Sequence, residues 1–152
     1  MRSRYLVIGA GILLGLIFLV AGASKLADQS GLVAVLVETS ILSEEMILFV
    51  ARWLPWLEIV LGLCLILGIA PRLMASISTL LVLGFIFHNA WIIKYGFEID
   101  GCGCLGIIEK ETQIVVSSQI ALGIDIGMLI LSLFILFYYT GKFFNLRPWF
   151  RK

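Results

Sequence analysis

The sequence predicts an all-α integral membrane protein, a four-transmembrane-helix bundle forming one domain over residues 1–152. Three observations predict it. The chain is 61% hydrophobic and only 14% charged, with a mean hydropathy of +1.10, whereas a soluble domain carries about 25% charged residues. Four apolar stretches each approach the roughly 20 residues that a helix needs to cross about 30 Å of hydrocarbon. The charges also sort to opposite sides of those stretches. A net charge of +1 gives no basic field for nucleic acid.

The first span runs from Tyr5 to Ala23. Arg2 and Arg4 precede it and Ala21-Gly22-Ala23 forms a small-residue cleavage pattern, the outline of a signal peptide. The apolar run is at the long end for a signal, and the expectation is an uncleaved helix. The second span covers about Ile47 to Ala70, its most apolar part beginning after Pro55. The third covers Leu73 to Ile93. Only Pro71 and Arg72 separate the two, so they are expected to be antiparallel neighbours. The fourth covers Ile114 to Tyr139, and Gly141 and Pro148 punctuate its exit. The segment from Ser24 to about Met46 is half apolar. In it Leu32, Val35 and Leu36, with Ile41 or Leu42, fit one face of a short helix lying on the membrane.

Positive charge sets orientation. With four spans the termini share a side, which holds Arg2, Arg4, Arg72, Lys142, Arg147, Arg151 and Lys152 and no acid. The other side holds Lys25, Arg52, Lys94 and Lys110 among Asp28, Glu38, Glu44, Glu45, Glu98, Asp100, Glu109 and Glu111. Both termini are therefore expected to be cytoplasmic, and both acidic loops to face outward.

The sharpest chemical feature is Gly101-Cys102-Gly103-Cys104-Leu105-Gly106, a short outer loop just past span three. Glycines allow the tight turn that brings two sulfurs together across one residue. The small ring departs from ideal geometry, and strain makes a disulfide easier to reduce. An exchanging dithiol/disulfide is the favoured reading. A static pin, two inert thiols, or part of a metal site with His88 are the alternatives; zinc usually takes four ligands, and no metal is assigned. Cys64 falls mid-span and reads as a small buried hydrophobe.

Ionisable groups in spans are expensive and mark candidate sites. Lys25, Glu58, His88 with Asn89, and Ser117, Ser118 and Gln119 fall toward the outer end of their helices, beneath the cysteine loop. The plainest role is a Lys25–Glu58 ion pair that holds helices together with its ammonium snorkelling outward. The functional role is that Lys25 or His88 activates a cysteine or handles protons during exchange. Asp125 falls near mid-membrane, its partner unidentified, and Arg52 is a candidate for lipid phosphate or for Glu58. Trp53, Trp56, Trp91 and Tyr95 read as an interfacial belt, or as a wall for a flat ligand such as a quinone. Trp149, Phe150 and Arg151 read as an inner-face anchor.

Three of these stretches carry a family resemblance. Ala21-Gly22-Ala23-Ser24-Lys25-Leu26 looks like the end of the first helix in the DoxX-like superfamily. Leu54-Pro55-Trp56-Leu57-Glu58 with Leu61-Gly62 looks like its second helix. Cys102-Gly103-Cys104-Leu105-Gly106 resembles the loop of its MauE branch, the methylamine-utilisation redox-associated membrane proteins, with Leu105 in place of the usual Phe. Val116-Ser117-Ser118-Gln119 departs from that branch, which often shows an Arg-Asp or Arg-Asn start to the fourth helix. The resemblance implies a small four-helix protein of the bacterial inner membrane, associated with thiol redox chemistry outside the cytoplasm and often found beside a thioredoxin-like protein. It reaches Lys25, Glu58, Cys102 and Cys104.

The expected function is that of a membrane thiol–disulfide redox protein, a candidate oxidoreductase. It would exchange electrons through Cys102 and Cys104 with a thioredoxin-like or periplasmic disulfide-containing partner, with a quinone as a candidate acceptor. The competing expectation is a non-catalytic subunit of a larger membrane complex with a structural disulfide loop. Gly11-x-x-x-Gly15 and Gly123-x-x-x-Gly127 would then allow close helix approach. A transporter centred on Asp125 is the third.

Overall fold

The computed structural model describes residues 2–39, 43–95 and 118–139. Among them are five helices: α1 (Arg2–Ala27), α2 (Ser30–Thr39), α3 (Glu44–Leu67), α4 (Pro71–Tyr95) and α5 (Ser118–Tyr138). All but α2 are long and apolar enough to cross a membrane. The four expected spans are therefore present, with ends within about four residues of those read from the sequence.

Local chemistry sets the helix ends. Asp28 Oδ1 accepts from the Ser30 backbone N–H at 2.9 Å and from its hydroxyl at 2.6 Å, turning the chain into α2. Glu44 and Glu45 occupy the first turn of α3, where the helix dipole favours acids. Lys25 and Lys94 occupy the last turns of α1 and α4, where it favours cations. Gly68 ends α3 at φ 71°, in the left-handed region, and the backbone closes onto the Cys64 and Leu65 carbonyls. Pro71 then opens α4 at the position where its missing N–H costs nothing.

The spanning helices form a ring in the order α1, α3, α4, α5. Two sides are extensive, α1 on α3 and α4 on α5, and the side between α3 and α4 is the thinnest. The short turn does make α3 and α4 neighbours, as expected, but they share little surface. A core of Val7, Leu14, Phe18, Leu65, Ala75, Val82, Met128 and Ile135 joins the four. The end where α4 finishes and α5 begins is hereafter the upper end.

Glycine lets α1 and α3 touch backbone to backbone. A Cβ on Gly15 would lie 2.7 Å from the Gly62 carbonyl oxygen, and one on Gly62 would lie 2.7 Å from that of Gly15. Seven residues along, a Cβ on Gly22 would lie 2.8 Å from the Pro55 carbonyl oxygen. Gly15 is thus used inside the bundle. Gly123 and Gly127 have nothing within 4 Å, so their spacing serves no helix contact among the described residues.

The amphipathic segment forms α2. Its Leu32 and Leu36 pack on Ile47 and Ala51 of α3, so that face is turned to protein rather than laid on a lipid surface. Ile41 and Leu42 lie outside the described residues.

Candidate functional site

The close approach of α1 and α3 places Lys25 beside Glu58. The helices run antiparallel, and helical side chains lean toward their own N-termini. Lys25 therefore leans down from the upper end of α1, and Glu58 leans up from the middle of α3. They meet with Lys25 Nζ donating to Glu58 Oε1 at 2.8 Å and to Oε2 at 3.1 Å. Lys25 is 2% exposed and Glu58 0%. The pair expected from the sequence is present, but the ammonium does not snorkel outward: it is turned into the bundle. Its remaining face lies over the Phe85 ring of α4, 5.4 Å from the centroid, a cation–π contact.

The other two spanning helices add a second buried pair. Asn89 Nδ2 on α4 donates to Asp125 Oδ2 on α5 at 2.7 Å, with Asn89 0% and Asp125 6% exposed. Asp125 lies within electrostatic reach of both Lys25 and Glu58. Each spanning helix therefore gives one polar side chain to a single buried layer: Lys25, Glu58, Asn89 and Asp125. The Asn89 Oδ1 atom is buried with no hydrogen-bond partner among the described residues. Ser78 Oγ is also buried with no partner among the described residues. Nearer the lower end Thr79 donates to the Ala75 carbonyl and contacts the Ser132 hydroxyl at 3.1 Å.

The remaining sequence candidates fall as follows. His88 is half-buried on α4, its Nε2 sealed and unpartnered among the described residues. Cys102 and Cys104 lie outside the described residues, as does Ser117. Gln119 is exposed at the top of α5, so the buried group that α5 supplies to the layer is Asp125. Asp125 lies seven residues, about 10 Å, below Ser118 on α5. Arg52 is exposed, and Glu58 is taken by Lys25, which removes Arg52 as its partner. Cys64 is a free, half-buried thiol one turn from the lower end of α3, not at mid-span. Trp53, Trp56 and Tyr95 are exposed, and the Phe87, Trp91 and Tyr95 rings follow one another along α4 in tilted contacts, with centroids 5.9 and 4.6 Å apart.

The Asn89–Asp125 contact was missed in the sequence, although both residues stood out. The sequence carried no clear signal for it, because the depths match only in the structure: Asn89 lies six residues before Tyr95 of α4 and Asp125 seven after Ser118 of α5.

The apolar spans, the Lys25–Glu58 pair and the glycine crossing beneath it are the setting for the comparisons with known proteins. No curated protein and no solved structure matches the chain. The family model described as methylamine utilisation protein MauE matches residues 3–138, which takes in all four spanning helices. The chain is a multi-pass membrane protein that belongs to the MauE family, and so is linked to methylamine utilisation.

Proposed function

We propose that this protein is a thiol–disulfide redox protein of the bacterial inner membrane that exchanges electrons through Cys102 and Cys104 with a thioredoxin-like or disulfide-containing partner outside the cytoplasm. The observation that carries the reading is the family match combined with the glycine-framed cysteine pair, which falls in the segment joining α4 to α5. Those are the helix ends nearest Asn89 and Asp125. The charge bias between the loops supports an outward position for the pair and cytoplasmic termini.

In the exchange, one cysteine thiolate attacks a partner disulfide, forming a mixed disulfide and releasing one partner thiolate. The second cysteine then attacks the mixed disulfide, leaving a Cys102–Cys104 disulfide and a partner dithiol. The reverse sequence oxidises the partner. Lys25, Glu58 and His88 are the proposed proton-handling groups. Any quinone would belong among the aromatic side chains Trp53, Trp56, Trp91 and Tyr95.

Cys64, near the lower end of α3, is given no part in this exchange.

The test is the redox midpoint of Cys102 and Cys104 in the intact protein, read by alkylation mass shift in buffers of defined thiol potential. A reversible couple between about −120 and −270 mV, the range of exchange-active proteins, supports the proposal. A disulfide that resists reduction below about −300 mV is a structural pin and favours a non-catalytic subunit of a larger membrane complex.

A further inference from the structure

We propose that Asp125 and Asn89 form a proton-binding site inside the membrane domain, holding one exchangeable proton between a carboxyl oxygen of Asp125 and the side-chain carbonyl of Asn89. The site does not depend on the cysteine pair.

The first argument is charge. Lys25 and Glu58 neutralise one another through two short contacts, and the ammonium is held further by the Phe85 ring. Ionised Asp125 is then the uncompensated charge of the layer, in a region where an unpaired charge is costly. A bound proton removes it.

The second argument is the orphaned acceptor. An ionised carboxylate can only accept hydrogen bonds. It takes the one from Asn89 Nδ2, but it can offer nothing to Asn89 Oδ1, which is fully buried and has no partner among the described residues. A protonated carboxyl has both a donor and an acceptor. It can keep the Nδ2 bond at one oxygen and donate from the other to Oδ1, giving a two-bond acid–amide pair that satisfies both groups. The orphaned atom is thus the acceptor that a proton on Asp125 requires. Among the described residues, the charged or titratable groups around this pair are Lys25 from α1, Glu58 from α3 and His88, the neighbour of Asn89 on α4.

The test is infrared difference spectroscopy of the whole protein in lipid vesicles during a pH titration. Above about pH 6, where ordinary carboxyls are ionised, the expected result is one carboxylic-acid carbonyl band per chain that disappears as pH rises. It should be absent in Asp125→Asn, present in Glu58→Gln, and moved to the position of an acid without a hydrogen-bonded acceptor in Asn89→Leu. If Asp125→Asn does not fold, carbon-13 labelling of aspartate in an Asp28→Asn/Asp100→Asn variant leaves Asp125 as the single labelled carboxyl. An isotope-shifted acid band there supports the site. Absence of any acid band from Asp125, a band that survives Asp125→Asn, or a band abolished by sodium ions at constant pH overturns it. None of these readouts involves Cys102 or Cys104, so failure of the thiol reading and failure of this site are separable.

Discussion

Removing one member of the Lys25–Glu58 pair should cost far more than removing both. At 2.8 Å, two unit charges attract by about 6 kcal/mol at an effective dielectric constant of 20. Desolvation of each ion opposes this by several kcal/mol, so the intact pair contributes little net stability. A lone buried charge has lost the attraction and kept the penalty, at a cost of about 3–5 kcal/mol. Lys25→Met and Glu58→Leu should each destabilise the bundle by about that amount. The unfolded chain in a micelle also finds partners for its polar groups, which moves the expectation to the lower end. The double variant should recover most of the loss. The assay is equilibrium unfolding in mixed micelles of increasing SDS fraction, followed by circular dichroism, as a double-mutant cycle. Additive single effects, with a coupling below about 0.5 kcal/mol, would refute the argument that the two charges act as a buried unit.

Further outcomes are expected at the glycine crossing, in α2 and at the cysteines. Gly62→Val should separate α1 from α3 and destabilise the bundle by about 1–3 kcal/mol, because even a Cβ there meets the Gly15 carbonyl oxygen at 2.7 Å. Gly123→Ala, with open space at the same atom, should stay within about 0.5 kcal/mol in the same unfolding assay. Leu36→Ala should loosen α2 from Ile47 and Ala51 at a cost near about 2 kcal/mol, seen as faster amide hydrogen exchange in α2 with α4 unchanged. Cys64→Ala should leave the redox midpoint of the Cys102/Cys104 pair unmoved in the alkylation assay, whereas Cys102→Ser should remove the couple.

The spans were legible because lipid imposes one requirement on a long stretch of chain, and composition alone meets it. Helix direction followed from counting turns, and the Lys25–Glu58 pair followed from two opposite charges near the same depth. Packing partners were harder. The Pro71 turn makes α3 and α4 adjacent, yet it carries no information about how far their upper parts diverge. Gly15 and Gly62 meet through a crossing whose register depends on both helices, so spacing within α1 alone pointed to Gly11 and Gly15. In α5, the matching spacing at Gly123 and Gly127 faces open space. Asp125 looked partnerless because nothing in the local pattern of residues sets which face of α5 turns toward α4.

The division of the ring into two broad interfaces and one thin one has a bearing on how the chain enters the membrane. The first broad interface is made of α1 and α3, and the second of α4 and α5. Each encloses its own polar contact, Lys25 with Glu58 and Asn89 with Asp125. The N-terminal half can therefore neutralise its charges as soon as α3 has been synthesised, before any of the C-terminal half exists. The C-terminal half likewise brings its aspartate into lipid already bonded to an amide. The last step is then the docking of two hairpins joined through Gly68 and Ala70, both of which have a positive φ.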